Sequence, residues 1–174
     1  FLLKPGLCNL KPYILAIGAR QPRKNIPRLI SSFLKHRPAG KLIIIGEKPI
    51  SNFKFQISNS VVFTGYVSDQ ELVNYLAGAT CFVYPSLYEG FGLPILGALH
   101  HGVPVACSHI PVFNETAGKA AEFFDPLDEE SIAAGIAVAI KNKSKLIDLG
   151  TQQLSKFSWD KAAKETMKVY KSLC

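Results

Sequence analysis

Six short apolar runs, spaced along the chain and mostly separated by stretches with helical periodicity, limit what this sequence can fold into. They are YILAIG (13–18), KLIIIG (41–46), VVFTG (61–65), TCFVYP (80–85), VPVAC (103–107) and AAEFF (120–124). Each is rich in β-branched or aromatic residues on both of its faces, and most are bounded by Gly or Pro, which is how a doubly covered strand reads. Between them, Leu29, Ile30, Phe33 and Leu34 mark the apolar face of a helix over roughly 25–37, with Asn25 as its N-cap. Ser68 and Glu71 stand three apart as a capping box that opens a helix running to about Ala79. A helix to about His101 follows the loop at 85–92. Asp128 caps another, carrying Ile132, Ile136 and Ile140, and two more are expected near 144–155 and from Trp159 to the end. Strands alternating with helices predict a three-layer, Rossmann-like α/β domain, with a parallel sheet of about six strands covered on both sides. With 174 residues and 48% hydrophobic content, the chain can fill one such core. The expected layout is a lead-in or interdomain linker over 1–12 and the domain over 13–174.

Charge is distributed unevenly. Residues 1–54 hold eleven Lys and Arg against the single acid Glu47, and residues 55–118 hold no Lys or Arg. A second basic stretch runs from Lys141 to Lys171, partly offset by Asp148, Asp160 and Glu165. The asymmetry predicts an anionic partner: phosphate, an acidic membrane surface or nucleic acid. Nucleic acid is disfavoured, because no helix-turn-helix spacing, zinc knuckle or aromatic-plus-basic RNA signature occurs. Cys8, Cys81, Cys107 and Cys174 lack metal-ligand spacing and read as buried hydrophobes of a reducing cytoplasm. His36, His100, His101 and His109 form no recognisable metal site, and no metal or other cofactor is expected. His100 and His101 read as a helix-end pair, and His109 as a residue that lines the ligand crevice. No apolar run approaches the ~18 residues that span a membrane.

In an open parallel sheet, ligands sit beyond the C-terminal ends of the strands. Here those ends carry Gly18 to Lys24, Gly46-Glu-Lys-Pro, Gly65-Tyr-Val-Ser-Asp and Pro85 to Gly92. Arg23 and Lys24 precede a helix whose positive dipole end they face, an arrangement that costs roughly 0.3–1 kcal/mol unless an anion lies between. They are either a solvated pair or an anion seat, phosphate being the obvious anion. The glycines of EGFGLP (89–94) allow close backbone approach to phosphate oxygens, and Pro94 suits a first helical turn; a tight strand-to-helix turn is the other reading. Neither GxGxxG nor GK[ST] occurs, which disfavours a nicotinamide enzyme or a P-loop nucleotidase.

The stretches YILAIGARQPRKN, VVFTGYVSDQELVNYLAGA, CFVYPSLYEGFGLPILGAL, HGVPVACSHIPVFNE, AAEFFDPLDEESIAAGI and FSWDKAAKETMKVYKSL resemble, in order and spacing, the C-terminal donor-binding domain of GT-B fold, retaining group-1 (family 4) glycosyltransferases. The resemblance runs from about Tyr13 to Leu173 and is specific for the family but not for substrate. It implies a site for a nucleotide-diphosphate sugar of mannosyl or glucosyl type. Arg23 and Lys24 would hold the diphosphate with help from Arg20. The amides of Gly90, Phe91 and Gly92 would approach phosphates or sugar, with Ser86 and Leu93 beside them. Gly46 would line the crevice, and Tyr66 and Val67 would lie where the nucleobase meets backbone. Glu89 matches the first glutamate of the family's Glu-x7-Glu motif and is the candidate catalytic carboxylate; a mere helix-flanking acid is the other reading.

The chain departs from that pattern twice. Gly97 stands where the second glutamate would hold the ribose, so the donor site lacks an expected anchor, and glycine inside a helix costs on the order of 1 kcal/mol. The acceptor-binding N-terminal domain of such enzymes is also missing. The expected function is therefore donor binding within a metal-independent glycosyltransferase of surface polysaccharide, lipopolysaccharide or glycolipid assembly, cytoplasmic and peripheral at the inner membrane face, with the isolated domain inactive. The alternative is a degenerate or non-catalytic module that binds a nucleotide or a partner.

Overall fold

The computed structural model describes residues 12–18, 20–47 and 59–173; the lead-in (but for Pro12), Cys8, Cys174 and the segment 48–58 lie outside them. Six strands, β1 (Tyr13–Ile17), β2 (Lys41–Ile45), β3 (Val61–Phe63), β4 (Cys81–Tyr84), β5 (Val105–Ser108) and β6 (Ala121–Phe124), form one sheet in the order β3-β2-β1-β4-β5-β6. Every pairing is parallel, with Tyr13 opposite Lys41, Ile14 opposite Cys81 and Phe82 opposite Val105. The helices are α1 (Ile26–His36), α2 (Asp69–Gly78), α3 (Leu93–His100), α4 (Pro111–Ala117), α5 (Glu129–Lys141), α6 (Lys143–Leu154) and α7 (Trp159–Ser172), preceded by a 3₁₀ turn at Pro22–Lys24.

Side chains alternate across the sheet because successive Cβ atoms of a strand point to opposite faces. Leu15, Ile43, Phe82, Tyr84, Val105 and Cys107 join one core with Leu76 of α2, Ile95 of α3 and Phe113 of α4. Ile14, Ala16, Leu42, Ile44, Val83 and Ala106 join the other with Leu29 and Phe33 of α1 and Ile132 and Ile136 of α5. Each fully buried Ile or Leu contributes about 1.5–3 kcal/mol, so stability is concentrated mid-sheet and the strand ends are left to loops.

The expected three-layer architecture and the six strands are present. The capping box is too: the Ser68 hydroxyl accepts from the Glu71 amide, and the Glu71 carboxylate accepts from the Ser68 amide at 3.0 Å. Asp128 caps α5 by accepting from the Glu130 amide at 2.9 Å. Three details differ from the sequence reading. The fifth strand begins at Val105 rather than 103, since Pro104 has no amide proton to give to a ladder. Helix α4, which no periodicity announced, has only seven residues; Pro111 at its start and Gly118 just past its end are its signal. Asn25 occupies the N-cap position of α1 as expected, but its side chain makes no capping bond. It sits in the left-handed region (φ 55°), and its amide nitrogen donates instead to the Pro126 carbonyl at 2.7 Å, tying the start of α1 to the loop before α5.

Helix α7 buries none of its residues, and Trp159, Met167 and Tyr170 are exposed along it. No helix among the described residues is long and apolar enough to cross a membrane. Several cations of the basic first third are met by acids: Arg20 by Glu47, Arg23 and Lys24 by Glu89, and Lys35 by Glu130 at 2.6 Å. The two exposed pairs, Arg20 with Glu47 and Lys35 with Glu130, are screened by solvent and contribute little, so they offset local charge more than they hold the fold.

Candidate functional site

Strand order reverses direction at β1 and β4, and the loops leaving these two strands diverge to opposite faces of the sheet, opening a crevice between them. In the first loop Gly18 takes φ 101°, and a Cβ there would come within 2.9 Å of the Lys24 stem. Glycine is therefore what lets Lys24 lie back across the end of β1. In the second loop the Leu87 amide donates to the Arg23 carbonyl at 2.7 Å, fastening the two loops together.

The charged centre lies at this junction. Lys24 is only 8% exposed, and its ammonium reaches Glu89 Oε1 at 2.7 Å, donates to the Tyr84 hydroxyl and sits 4.5 Å from the centre of the Tyr84 ring. Arg23 reaches the same Oε1 at 2.5 Å and donates to the Tyr88 carbonyl at 3.2 Å. The Tyr84 hydroxyl in turn donates to Oε1 at 3.1 Å. Burial alone would raise the Glu89 carboxyl, but hydrogen bonds from Arg23 and Lys24 outweigh it and hold its pKa down at about 2. Burial dominates at the other two groups: it lowers the Lys24 ammonium despite Glu89 and, reinforced by the Glu89 charge, raises the Tyr84 phenol. Ser86 is wholly buried beside them, and its hydroxyl helps depress Glu89.

The EGFGLP loop is shaped by α4. Gly92 precedes α3 at φ 96°, where a Cβ would come within 3.0 Å of the Phe113 ring. The Thr116 hydroxyl bonds to the Phe91 carbonyl and lies 3.0 Å from that of Val112, which pins the loop to α4. Gly90 has open space where a Cβ would point, so nothing in the packing demands a glycine there. No side chain caps α3, and Pro94 lies in its first turn as expected.

The expected site residues thus divide between neighbouring surfaces. Arg20, Arg23, Lys24 and Gly46 line one hollow of about 360 Å³ together with Gly18 and Glu47. The Gly46 amide donates to the Gly65 carbonyl at 3.1 Å, which brings the turn bearing Tyr66 and Val67 to the same edge; Tyr66 is 89% exposed. Phe91, Leu93 and Gly97 line a second, mostly apolar hollow of about 400 Å³, shared with Phe157 and Trp159. His109 lies against Phe123 and lines a third hollow with Asp125 and Pro126, so it does not line the Arg23–Lys24 hollow as expected, because its strand lies beyond β4 from β1. His100 and His101 stack edge to face at 5.2 Å at the end of α3. Cys81 and Cys107 are buried free thiols. Among the described residues no group of three or more His, Cys, Asp or Glu could hold a metal ion. Tyr84 and Thr116 escaped the sequence reading: one sits inside an apolar strand run, the other on the short helix α4.

Comparison with known proteins agrees with the fold. O-antigen chain mannosyltransferase B of Escherichia coli is 35% identical over 175 residues, covering 92% of this chain and 46% of the relative. O-antigen chain mannosyltransferase RfbU of Salmonella typhimurium is 35% identical over 143 residues, covering 78% of the chain and 39% of the relative. The chain thus spans less than half the length of these two curated relatives. Among solved structures, a sucrose-phosphate synthase from Thermosynechococcus elongatus superposes with a TM-score of 0.81 at 24% identity, over 97% of this chain and 47% of that one, a likeness of fold. The profile of the family described as glycosyl transferases group 1 matches residues 4–155, and the chain belongs to that family.

Proposed function

We propose that the chain is the donor-binding half of a retaining glycosyltransferase that moves a mannosyl group from a nucleotide-diphosphate sugar to a glycan or lipid-linked acceptor. The observation that carries this reading is the buried Lys24, held with Arg23 around one carboxylate at the strand-order reversal. A desolvated ammonium beside an exposed guanidinium favours an anion that reaches both. As the bond from sugar to diphosphate breaks, charge grows on the leaving phosphate, and cations gathered near a helix N-terminus stabilise that charge. Arg23 and Lys24 take the part a divalent metal plays elsewhere, and chelator should leave transfer by the full-length protein unchanged. Glu89, their counter-ion in the ligand-free state, gives up both cations to the phosphate and is then available to a sugar hydroxyl. Mannose is preferred because the two curated relatives above are named mannosyltransferases.

The test is calorimetric titration with GDP, UDP and ADP, with thermal melts as folding controls. Diphosphate binding should vanish in Lys24→Ala, and binding of the matching sugar nucleotide should weaken in Glu89→Ala; indifference to both would remove the site. The 174-residue chain alone should show no acceptor-dependent turnover, since it spans less than half the length of these relatives. Peripheral attachment belongs to the same proposal: the basic first third should sediment with anionic vesicles at low salt, and absence of binding there would end that part.

Gly97 favours a second reading, a degenerate module that binds nucleotide without chemistry. A Cβ at Gly97 meets only Leu76 Cδ1, at 3.7 Å, so Gly97→Glu is sterically admissible. If it raises nucleotide affinity roughly ten- to a thousandfold, as hydrogen bonds from a ribose would, the pocket is that of an enzyme lacking one anchor. No change means that the surface serves another use.

A further inference from the structure

We infer that Tyr84 is a positioning residue that keeps the Glu89 carboxylate in place when a bound diphosphate draws Arg23 and Lys24 away from it. The inference rests on the nucleotide-diphosphate reading above. Three donors to Glu89 converge on one oxygen: Arg23 at 2.5 Å, Lys24 at 2.7 Å and the Tyr84 hydroxyl at 3.1 Å from Oε1. None of these three donors reaches Oε2, which leaves that oxygen to a ligand hydroxyl.

The three donors are not equivalent. Arg23 and Lys24 are cations on a loop, and they are the groups for which phosphate oxygens compete. Tyr84 is neutral, 1% exposed and held in strand β4, its ring stacked on Phe113 at 5.3 Å and tilted against Phe82 at 5.7 Å. It cannot follow the phosphate. Its proton is also committed, since Lys24 can only donate, and so the phenol accepts from Lys24 and gives its single hydrogen to Glu89. The Phe113 ring that braces Tyr84 also abuts Gly92, so the anchor and the loop carrying Glu89 are set by one packing contact. Without the phenol, a carboxylate whose side chain is 9% exposed would lose most of its donors on ligand binding and would turn outward or take up a proton.

The experiment compares wild type with Tyr84→Phe, which keeps the ring and therefore the packing, using whichever of GDP, UDP and ADP binds and the matching hexose nucleotide (GDP-mannose, UDP-glucose or ADP-glucose). The diphosphate should bind Tyr84→Phe within about threefold of wild type, while affinity for the sugar nucleotide falls tenfold or more. In the diphosphate-bound state, the Glu89 carboxyl carbon signal, assigned with Glu89→Gln, should titrate about one pH unit higher in the variant. Equal losses for both ligands, or no loss for either, with an unmoved titration, would overturn the positioning role. If wild type binds none of the three diphosphates, the functional reading fails and this inference falls with it.

Discussion

Replacing Gly97 with alanine separates what this position does for the fold from what it withholds from the site. Gly97 is the fifth of eight residues in α3 and lies outside the left-handed backbone region. Alanine in a helix interior is favoured over glycine by about 0.8–1 kcal/mol, chiefly because the unfolded chain has less freedom to lose. The new methyl carbon would have Leu76 Cδ1 at 3.7 Å as its nearest neighbour, an ordinary van der Waals distance, so no overpacking term offsets the gain. For a domain of this size 1 kcal/mol corresponds to a Tm shift of about 2–4 °C. Gly97→Ala should therefore melt about 2–4 °C higher by circular dichroism, with a higher urea midpoint and an unchanged m-value. Nucleoside diphosphate affinity should stay at the wild-type level, since alanine supplies no hydrogen bond. A lower Tm would refute the reasoning and show that α3 needs glycine for a packing reason.

Three further outcomes follow from the same contacts. The Glu89 carboxyl is held at about 2, below its ordinary 4.5, so the stability it confers is complete above about pH 4.5 and lost as pH falls towards 2; urea midpoints of Glu89→Gln should decline less steeply than wild type over that range, and parallel slopes would contradict this. Gly18→Ala forces a left-handed alanine against the Lys24 stem, costing about 1–2 kcal/mol and lowering Tm by roughly 2–8 °C, with weaker diphosphate binding; an unaffected calorimetric titration would count against Lys24. Burial pushes the Cys81 thiol up to about 12 and raises Cys107 as well, so peptide mass spectrometry should find both unlabelled by a maleimide in the native protein and labelled in urea, and rapid native labelling would refute their burial.

The alternation of apolar runs with helical stretches, the paired Ser68 and Glu71, the basic bias before residue 54 and the EGFGLP loop are legible in sequence because each is a local or periodic signal. From them came the parallel sheet, the strand count and the edge proposed for the site. What stayed hidden depends on residues far apart in the chain. Nothing near Tyr84 distinguishes a buried aromatic of strand β4 from one whose hydroxyl meets a lysine sixty residues earlier. Asn25 looks like a cap, yet its side chain turns to Pro126, 101 residues away, because tertiary packing offers it a carbonyl there. The sequence by itself determined the architecture and the chemical types gathered at its rim, since periodicity and turn residues act over a few positions. Only the tertiary structure decided that Arg23, Lys24 and Tyr84 share one oxygen of Glu89 while Gly97 faces a different hollow. Such partnerships arise from the crossing of loops between β1 and β4, which no short-range pattern encodes.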